Sequence, residues 1–124
     1  FNGYLPFDKE KRNSKIGTYE GRSANDNQTQ VFIEAPFRNS ELLKAMMDVL
    51  SPDTKLCVCW NMMAEDAWMC SKEVTNWGVV RLPDEFDRKP AMFLFLAPWR
   101  QKSGGNEGAP SRKSTNRGSK RNRR

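Results

Sequence analysis

The 124-residue sequence contains no histidine and only three cysteines. Without His, catalysis of the Ser-His-Asp and Cys-His types and the usual His-containing zinc sites are excluded. An odd number of cysteines argues against a disulfide framework. Residues 1–12 lack the apolar stretch of a secretory signal, and the longest apolar run, residues 91–99, is too short to span a bilayer. These absences favour a cytoplasmic protein with no place in a membrane.

Positive charge is concentrated at one end of the chain. The formal net charge is +6, but residues 1–100 carry 13 Lys and Arg against 14 Asp and Glu, whereas residues 101–124 carry 8 against 1. The first segment therefore has a net charge of −1 and the second a net charge of +7. Gly, Ser, Asn and basic residues without apolar periodicity cannot bury enough surface to offset the entropy of ordering. We predict a folded domain over residues 1–100 and a disordered basic tail over residues 101–124.

The apolar pattern predicts three main strands and one clear helix. The helix follows Asn39 or Ser40 as the N-cap and ends before Ser51, because apolar residues recur between them at helical spacing. The strands are predicted at residues 31–34, 56–60 and 91–96. The last two are unbroken apolar runs, so we expect them to be buried on both faces.

Other segments complete the predicted order of elements. They indicate a short exposed helix over 8–19, a loop over 21–30, a strand over 68–71, a helical turn over 74–77 and an irregular segment over 83–90. Strand, helix, buried strand and a later buried strand together predict an α/β domain with a mixed, partly parallel sheet and flanking helices.

Three segments resemble, in order, parts of a known enzyme family. Gly3-Tyr4-Leu5-Pro6 is similar to a Gly-aromatic/Leu-Leu-Pro motif, residues 32–38 to aromatic-x-Glu-Ser/Thr-Pro-His/Tyr-Arg, and residues 88–94 to basic-Lys-Gly/Pro-x-Met/Thr. The second is the most specific, because Glu, Pro and Arg at fixed offsets between a strand and a helix are improbable by chance. The family is that of the tetrapyrrole methylase-like S-adenosylmethionine methyltransferases, in the branch that methylates a cytidine ribose of small-subunit ribosomal RNA. The resemblance covers roughly residues 2–97.

This resemblance implies the C-terminal domain of a two-domain tetrapyrrole methylase-like fold. S-adenosyl-L-methionine would lie in the cleft between the domains, small-subunit ribosomal RNA would be the substrate, and the enzyme would be a homodimer. Because Phe1 is not Met and the N-terminal domain is absent, we expect the native protein to start upstream. In the family, strand ends of the second domain contribute to the adenosine pocket. The cofactor-binding residues carried over are Phe32, Ile33, Glu34, Trp60, Asn61, Met62, Pro90 and Ala91.

Three positions depart from the family pattern. Ala35 stands where Ser or Thr is usual, and Asn61 and Met63 stand where an acidic residue and Thr are usual. No residue is a convincing general base, so no catalytic residue is assigned. With half of the cleft missing, the chain alone is expected neither to bind the cofactor tightly nor to turn over.

Several residues admit two interpretations. Glu34 and Arg38 either orient substrate RNA or brace the domain cleft, or they form a local ion pair or helix-start electrostatics around Pro36. The side chains of Trp60, Met62, Met63 and Trp68 either line an adenine pocket or pack in the core.

The cysteines are interpreted as small buried hydrophobic residues and not as a metal site. We expect Cys57 and Cys59 to point to opposite faces of their strand and therefore to be unable to share one ion.

The basic tail is a candidate RNA contact. Its residues would bind phosphate nonspecifically through counterion release, and the alternative is a solubilising end. The tail residues proposed to contact RNA are Arg112, Lys113, Arg117, Lys120 and Arg121. The runner-up functions are a noncatalytic RNA-binding module and a methylase acting on a tetrapyrrole or another small molecule.

Overall fold

The structure is a computed structural model that describes residues 1–100, in which two α-helices accompany a four-stranded sheet. The elements are α1 (Lys9–Asp26), β1 (Gln30–Glu34), α2 (Asn39–Val49), β2 (Lys55–Trp60), β3 (Trp68–Glu73) and β4 (Ala91–Leu96), with 3₁₀ turns at Val74–Val79 and Phe86–Arg88. The predicted α/β class with flanking helices is confirmed. The predicted basic tail, 101–124, lies outside the described residues, and so do the RNA-contacting residues proposed in it. Among the described elements, no helix combines the length and the apolar character needed to cross a membrane.

The sheet has the order β1-β4-β2-β3, and every described pair of neighbouring strands is antiparallel. The prediction of a partly parallel sheet is therefore wrong. β1, α2 and β2 do form the predicted strand-helix-strand unit, and β1 and β2 run in the same direction. They are not paired, however, because β4 inserts between them and is antiparallel to both.

The core lies on one face of the sheet, here called the inner face, beneath α1 and α2. Strands alternate in the direction of their side chains, and alternate residues of β1, β2 and β4 point to this face. Phe32 packs edge-to-face on Tyr19 of α1, with ring centroids 5.2 Å apart, and stacks on Phe95 at 5.5 Å. The most completely buried apolar side chains of the inner face are Phe32, Leu56, Val58, Phe93 and Phe95.

The opposite, outer face of the sheet carries no described helix and is only partly covered. The exposed fraction is 38% for Met92 and 62% for Met69. β2 and β4 are therefore buried on one face only, and the prediction of burial on both faces is wrong. Residues two apart on a strand share a face, and accordingly the sulfur atoms of Cys57 and Cys59 lie 3.9 Å apart on the outer face. The expectation that they point to opposite faces, as buried hydrophobic residues, is also wrong.

Helix α1 extends further than predicted. Asp8 caps its N-terminus by accepting from the Lys11 N–H at 2.9 Å. The helix continues through the segment predicted as a loop because Ser23 is buried there, where its hydroxyl accepts from the Ala97 N–H at 2.9 Å. It ends at Asn27, which adopts the left-handed conformation typical of helix C-termini.

Helix α2 begins where predicted but is capped differently. Arg38 occupies the N-cap position but its side chain makes no capping hydrogen bond, and Asn39 is fully buried inside the first turn. The Asp87 carboxylate accepts from the Ser40 N–H at 2.6 Å. A side chain 47 residues away thus caps the helix in place of the predicted Asn39 or Ser40.

Candidate functional site

One edge of the sheet gathers the ends of several strands, and we call it the loop edge. β1 and β2 end there, and β3 and β4 begin there, because neighbouring strands are antiparallel. In register, Ala91 lies opposite both Glu34 and Trp60, and Trp60 lies opposite Trp68. The segments predicted to contact the cofactor, at 32–34, 60–62 and 90–91, are therefore brought to one edge.

The segment before β4 is fixed to this edge through the Phe86 carbonyl. This oxygen accepts from the Trp60 Nε1–H and from the Asn39 side-chain amide, both at 2.9 Å. Asn39 also donates to the Lys89 carbonyl at 2.7 Å. The Phe37 N–H donates to the Asp87 carbonyl. Because these donors come from β2 and from the β1–α2 loop with the start of α2, the segment before β4 is held to two parts of the chain that are distant from it in sequence.

Left-handed backbone conformations concentrate at the loop edge. Of the five non-glycine residues with positive φ in the described chain, four are here: Phe37 (80°), Asn61 (51°), Met63 (77°) and Glu85 (61°). Such conformations are uncommon, and for a bulky residue such as Phe37 a positive φ is an outlier. Each costs on the order of 1–3 kcal/mol and persists only where surrounding contacts enforce it, most often at functional sites.

Large apolar side chains are exposed along the same edge. Phe37 is 73% exposed, Met62 51%, and Met63 fully exposed. These side chains lie in the loops that follow β1 and β2 and are not part of the core. The loop edge therefore offers an open apolar rim, whereas concave sites of about 240 and 330 Å³ lie elsewhere, beside α1.

Asn61 organises the β2–β3 loop. Its backbone N–H donates to the Pro90 carbonyl at 2.8 Å, and its side-chain amide donates to the Asp66 carboxylate at 2.6 Å. An ionised carboxylate at position 61 could not donate to Asp66. Asn61, which departs from the family pattern, is therefore matched by a hydrogen-bond acceptor in the same loop, the Asp66 carboxylate.

Glu34 and Arg38 form the local ion pair that was one of the two interpretations. Glu34 is buried, with one carboxylate oxygen accepting from the Ala35 N–H at 2.7 Å and the other 3.7 Å from Arg38 Nε. The Arg38 guanidinium also lies 4.3 Å from the centroid of the Phe7 ring, a cation–π arrangement. These contacts fix the start of α2 against the N-terminal segment.

A second arginine extends this charged chain. Arg12, nearly fully buried, donates to the Glu41 carboxylate at 2.8 Å, and Arg38 approaches the same oxygen at 3.5 Å. The hydrogen bond from Arg12 is the largest influence on this carboxyl group and lowers the pKa of Glu41 below its ordinary value. Two helices and the β1–α2 loop are thereby connected electrostatically.

The predicted cofactor residues separate into a floor and a rim. Trp60 is 2% exposed and stacks on Phe86, which agrees with the interpretation that it packs in the core. Ile33 points to the outer face, opposite Met92. The buried floor consists of Phe32, Glu34, Trp60 and Ala91, and the accessible rim of Asn61, Met62 and Pro90.

Trp68 is half-buried and contacts Trp77 and Phe86 edge-to-face. Both tryptophans that were candidates for an adenine pocket thus belong to the core. Met62 and Met63 remain exposed.

Sequence reasoning missed Phe37, Asn39 and Asp87 as organisers of this edge. Their roles depend on contacts across 47 to 50 residues of chain, and no local pattern encodes them. Phe37, directly after Pro36 in the most specific motif, was the one residue whose position offered a signal.

No family model matches the chain, and no curated protein matches it. Eleven chains of solved structures match. One is the crystal structure of the methyltransferase CobJ, with a TM-score of 0.43 and 10% sequence identity, covering 79% of this chain and 46% of that chain. The chain thus spans less than half the length of CobJ.

Proposed function

We propose that this chain is the second domain of an S-adenosylmethionine-dependent methyltransferase and that the loop edge forms one wall of its cofactor cleft. One observation carries the proposal. The segments that the motifs associate with the cofactor meet at a single edge, and four left-handed non-glycine residues lie at that same edge. β1 and β2, which run in the same direction, both end at this edge, and ligands of open α/β sheets bind beyond the carboxyl ends of such strands.

The chemistry of the rim fits such a cofactor. Phe37, Met62 and Met63 offer flat or polarizable groups suited to an adenine ring. Glu65 and Asp66 give the β2–β3 loop negative charge, which suits a cationic sulfonium. When bound, the cofactor supplies an electrophilic methyl group, and the role of the protein is mainly to position the acceptor oxygen in line with it. The residues of this chain would hold the adenosine and exclude water from one side.

We propose small-subunit ribosomal RNA, methylated on a ribose 2′-oxygen, as the substrate. The motif resemblance and the +7 charge of residues 101–124 support it. Arg112, Lys113, Arg117, Lys120 and Arg121 would contact phosphate, with an affinity that falls as salt rises. The whole enzyme would be a cytoplasmic homodimer with a further domain preceding this one.

The cofactor proposal can be tested on the chain itself. S-adenosylhomocysteine should bind weakly, because only one wall is present, and should shift the backbone amide NMR signals of Phe37, Asn61, Met62 and Met63. Signals of Ser71 and Leu94, on the outer face, should not move. A Met62→Ser, Met63→Ser double variant should lose the shifts, whereas Met69→Ser, also exposed but on the outer face, should retain them. Shifts confined to any other surface would contradict the proposal.

The whole protein provides the second test. Its intact mass, measured as produced from its own gene, should be roughly twice the 14.3 kDa of this chain. It should transfer labelled methyl groups to small ribosomal subunits, whereas this chain alone should not. Methyl transfer by the 124 residues alone would refute the single-wall assignment, and transfer only to a tetrapyrrole or another small molecule would refute the RNA substrate.

The charge of the tail also favours a second function, a noncatalytic RNA-binding module. In that case the chain should bind RNA with an affinity that falls steeply with salt and is lost when residues 101–124 are removed. It should show no response to S-adenosylhomocysteine. The two functions are therefore separated by the NMR experiment, independently of whether RNA binds.

A further inference from the structure

Four sulfur-containing side chains lie together on the outer face of the sheet. Cys57 and Cys59 are two apart on β2, with sulfur atoms separated by 3.9 Å. Cys59 lies opposite Met92 of β4 on one side and Met69 of β3 on the other. Side chains directly opposite on neighbouring strands have Cβ atoms about 4.5–5.5 Å apart, within reach of a flexible thioether. The apolar rim proposed for the cofactor does not include this face.

We propose that Cys57 and Cys59, with Met69 and Met92, form a binding site for one soft monovalent metal ion, of which Cu(I) is the physiological example. The site is distinct from the loop edge and does not depend on the proposed function.

The spacing of the two thiols supports the site. Two sulfurs bound to one ion at about 2.3 Å are separated by about 3.8 Å in tetrahedral and about 4.0 Å in trigonal geometry. The observed 3.9 Å lies between these values, so the thiols could share an ion with little movement. Because both cysteines lie on β2, the backbone already directs their side chains to the same face, and less conformational entropy is lost when an ion binds.

The ligand set selects the metal. Thiolate and thioether sulfurs favour Cu(I), whereas structural zinc requires four ligands among Cys, His and carboxylate groups. In the described part of the chain, no group of three or more His, Cys, Asp or Glu side chains is placed to hold a metal ion. A site of two thiols and two thioethers therefore suits a soft monovalent ion better than zinc.

Charge balance at the two sulfurs also favours a cation. Binding releases the two S–H protons to solvent and leaves two thiolates and one Cu(I), with a net charge of −1 and no change in oxidation state. The mutual repulsion of the two thiolates is removed when a cation lies between them.

Cys70 provides a matched control. It lies on β3, the strand that carries Met69, but opposite Val58, so its side chain points to the inner face and packs against the core. It is therefore a third thiol in the same sheet that cannot join the site.

The test is an anaerobic titration of the full reduced chain with Cu(I) in competition with a chromogenic Cu(I) chelator. We expect one equivalent of Cu(I) per chain. Cys57→Ser and Cys59→Ser should each lower the affinity by more than about 100-fold, since loss of even an outer partner of a metal ligand costs about 10–100-fold. Cys70→Ser should leave the affinity unchanged.

A second variant removes only the thioethers. Met69→Leu with Met92→Leu replaces partly exposed side chains with similar volumes, so the fold should be kept, and the affinity should fall by about 10-fold. The proposal would be overturned if the chelator kept all of the Cu(I), if one ion bound per two chains, or if Cys70→Ser weakened binding as strongly as Cys57→Ser.

Discussion

Both faces of the sheet carry apolar residues, but only the inner face is covered by helices and buried. On β4, Phe93 points to the inner face and is fully buried, whereas its neighbours Met92 and Leu94 point to the outer face and remain partly exposed. The inner face is closed by α1, α2 and the 3₁₀ turns. The difference shows that apolar character along a strand does not by itself indicate burial, since the outer face leaves its apolar and sulfur-containing side chains partly exposed.

The largest effect should come from removing an inner aromatic. Phe93→Ala should destabilise the fold by about 3–5 kcal/mol, because it loses burial and leaves a cavity. Leu94→Ala, one residue along the same strand but on the outer face, should cost about 1 kcal/mol. Urea unfolding of both variants checks the contrast, and equal losses would show that the two faces are equally buried in solution.

A smaller loss should follow from removing the buried amide of Asn39. Asn39→Ala deprives the Phe86 and Lys89 carbonyls of a donor and should cost about 2–3 kcal/mol. Asn76→Ala, at an exposed position of a 3₁₀ turn, should change stability by no more than about 0.5 kcal/mol. Urea midpoints measure both, and hydrogen exchange in Asn39→Ala should increase first around residues 86–89.

The outer thiols should be accessible but slow to react. Burial first, and then the neighbouring Cys59, raise the pKa of Cys57 to about 11. Lys55 and Glu73 are the charged side chains that the described strands place on this face. Alkylation of Cys57 by iodoacetamide near about pH 8 should be on the order of 10-fold slower than for an ordinary thiol, and should accelerate as the pH approaches about 11.

Mass spectrometry of the alkylated peptides follows each thiol separately. In Cys59→Ser, Cys57 should react faster, because one cause of its raised pKa is gone. An unchanged rate in that variant would contradict the coupling of the two thiols.

The smallest effect concerns the pH dependence contributed by Glu41. Its pKa is lowered in the folded state by the hydrogen bond from Arg12, so its stabilising contribution is present above the ordinary value of 4.5 and is lost as the pH falls through the lowered pKa. Because Glu41 is half exposed, the contribution should be small. Between about pH 6 and about pH 3, Glu41→Gln should lose less stability than the unmodified chain. Arg12→Met should flatten the profile in the same way, and a steeper profile in either variant would reverse the sign assigned here.

Local patterns predicted much of the fold. Helical spacing placed α2, apolar runs placed β2 and β4, and the order of strand, helix and strand identified the unit that brings the ends of β1 and β2 to one edge. Because residues two apart on a strand point to the same face, the spacing of Cys57 and Cys59 also places both thiols on one face.

What could not be predicted depends on contacts between distant parts of the chain. The insertion of β4 between β1 and β2 follows from pairings such as Gln30 with Phe95. The final turns of α1 are held by the contact of Ser23 with Ala97, 74 residues away. The candidate site shows the same limit, because the motif indicated Glu34 and Arg38, whereas Asn39 and Asp87 act through partners that no sequence window contains.

The strand order also constrains when the domain can form. β2 and β3 are adjacent in sequence and can pair as soon as residue 73 has left the ribosome. β1, at the edge of the sheet, has β4 as its neighbouring strand, and β4 is complete only at residue 96. Pairings of such long separation form slowly and leave early strands exposed during synthesis. β1 therefore cannot join the sheet until the last strand is available, and a chain truncated before residue 91 could form the β2–β3 hairpin and two helices but no joined sheet.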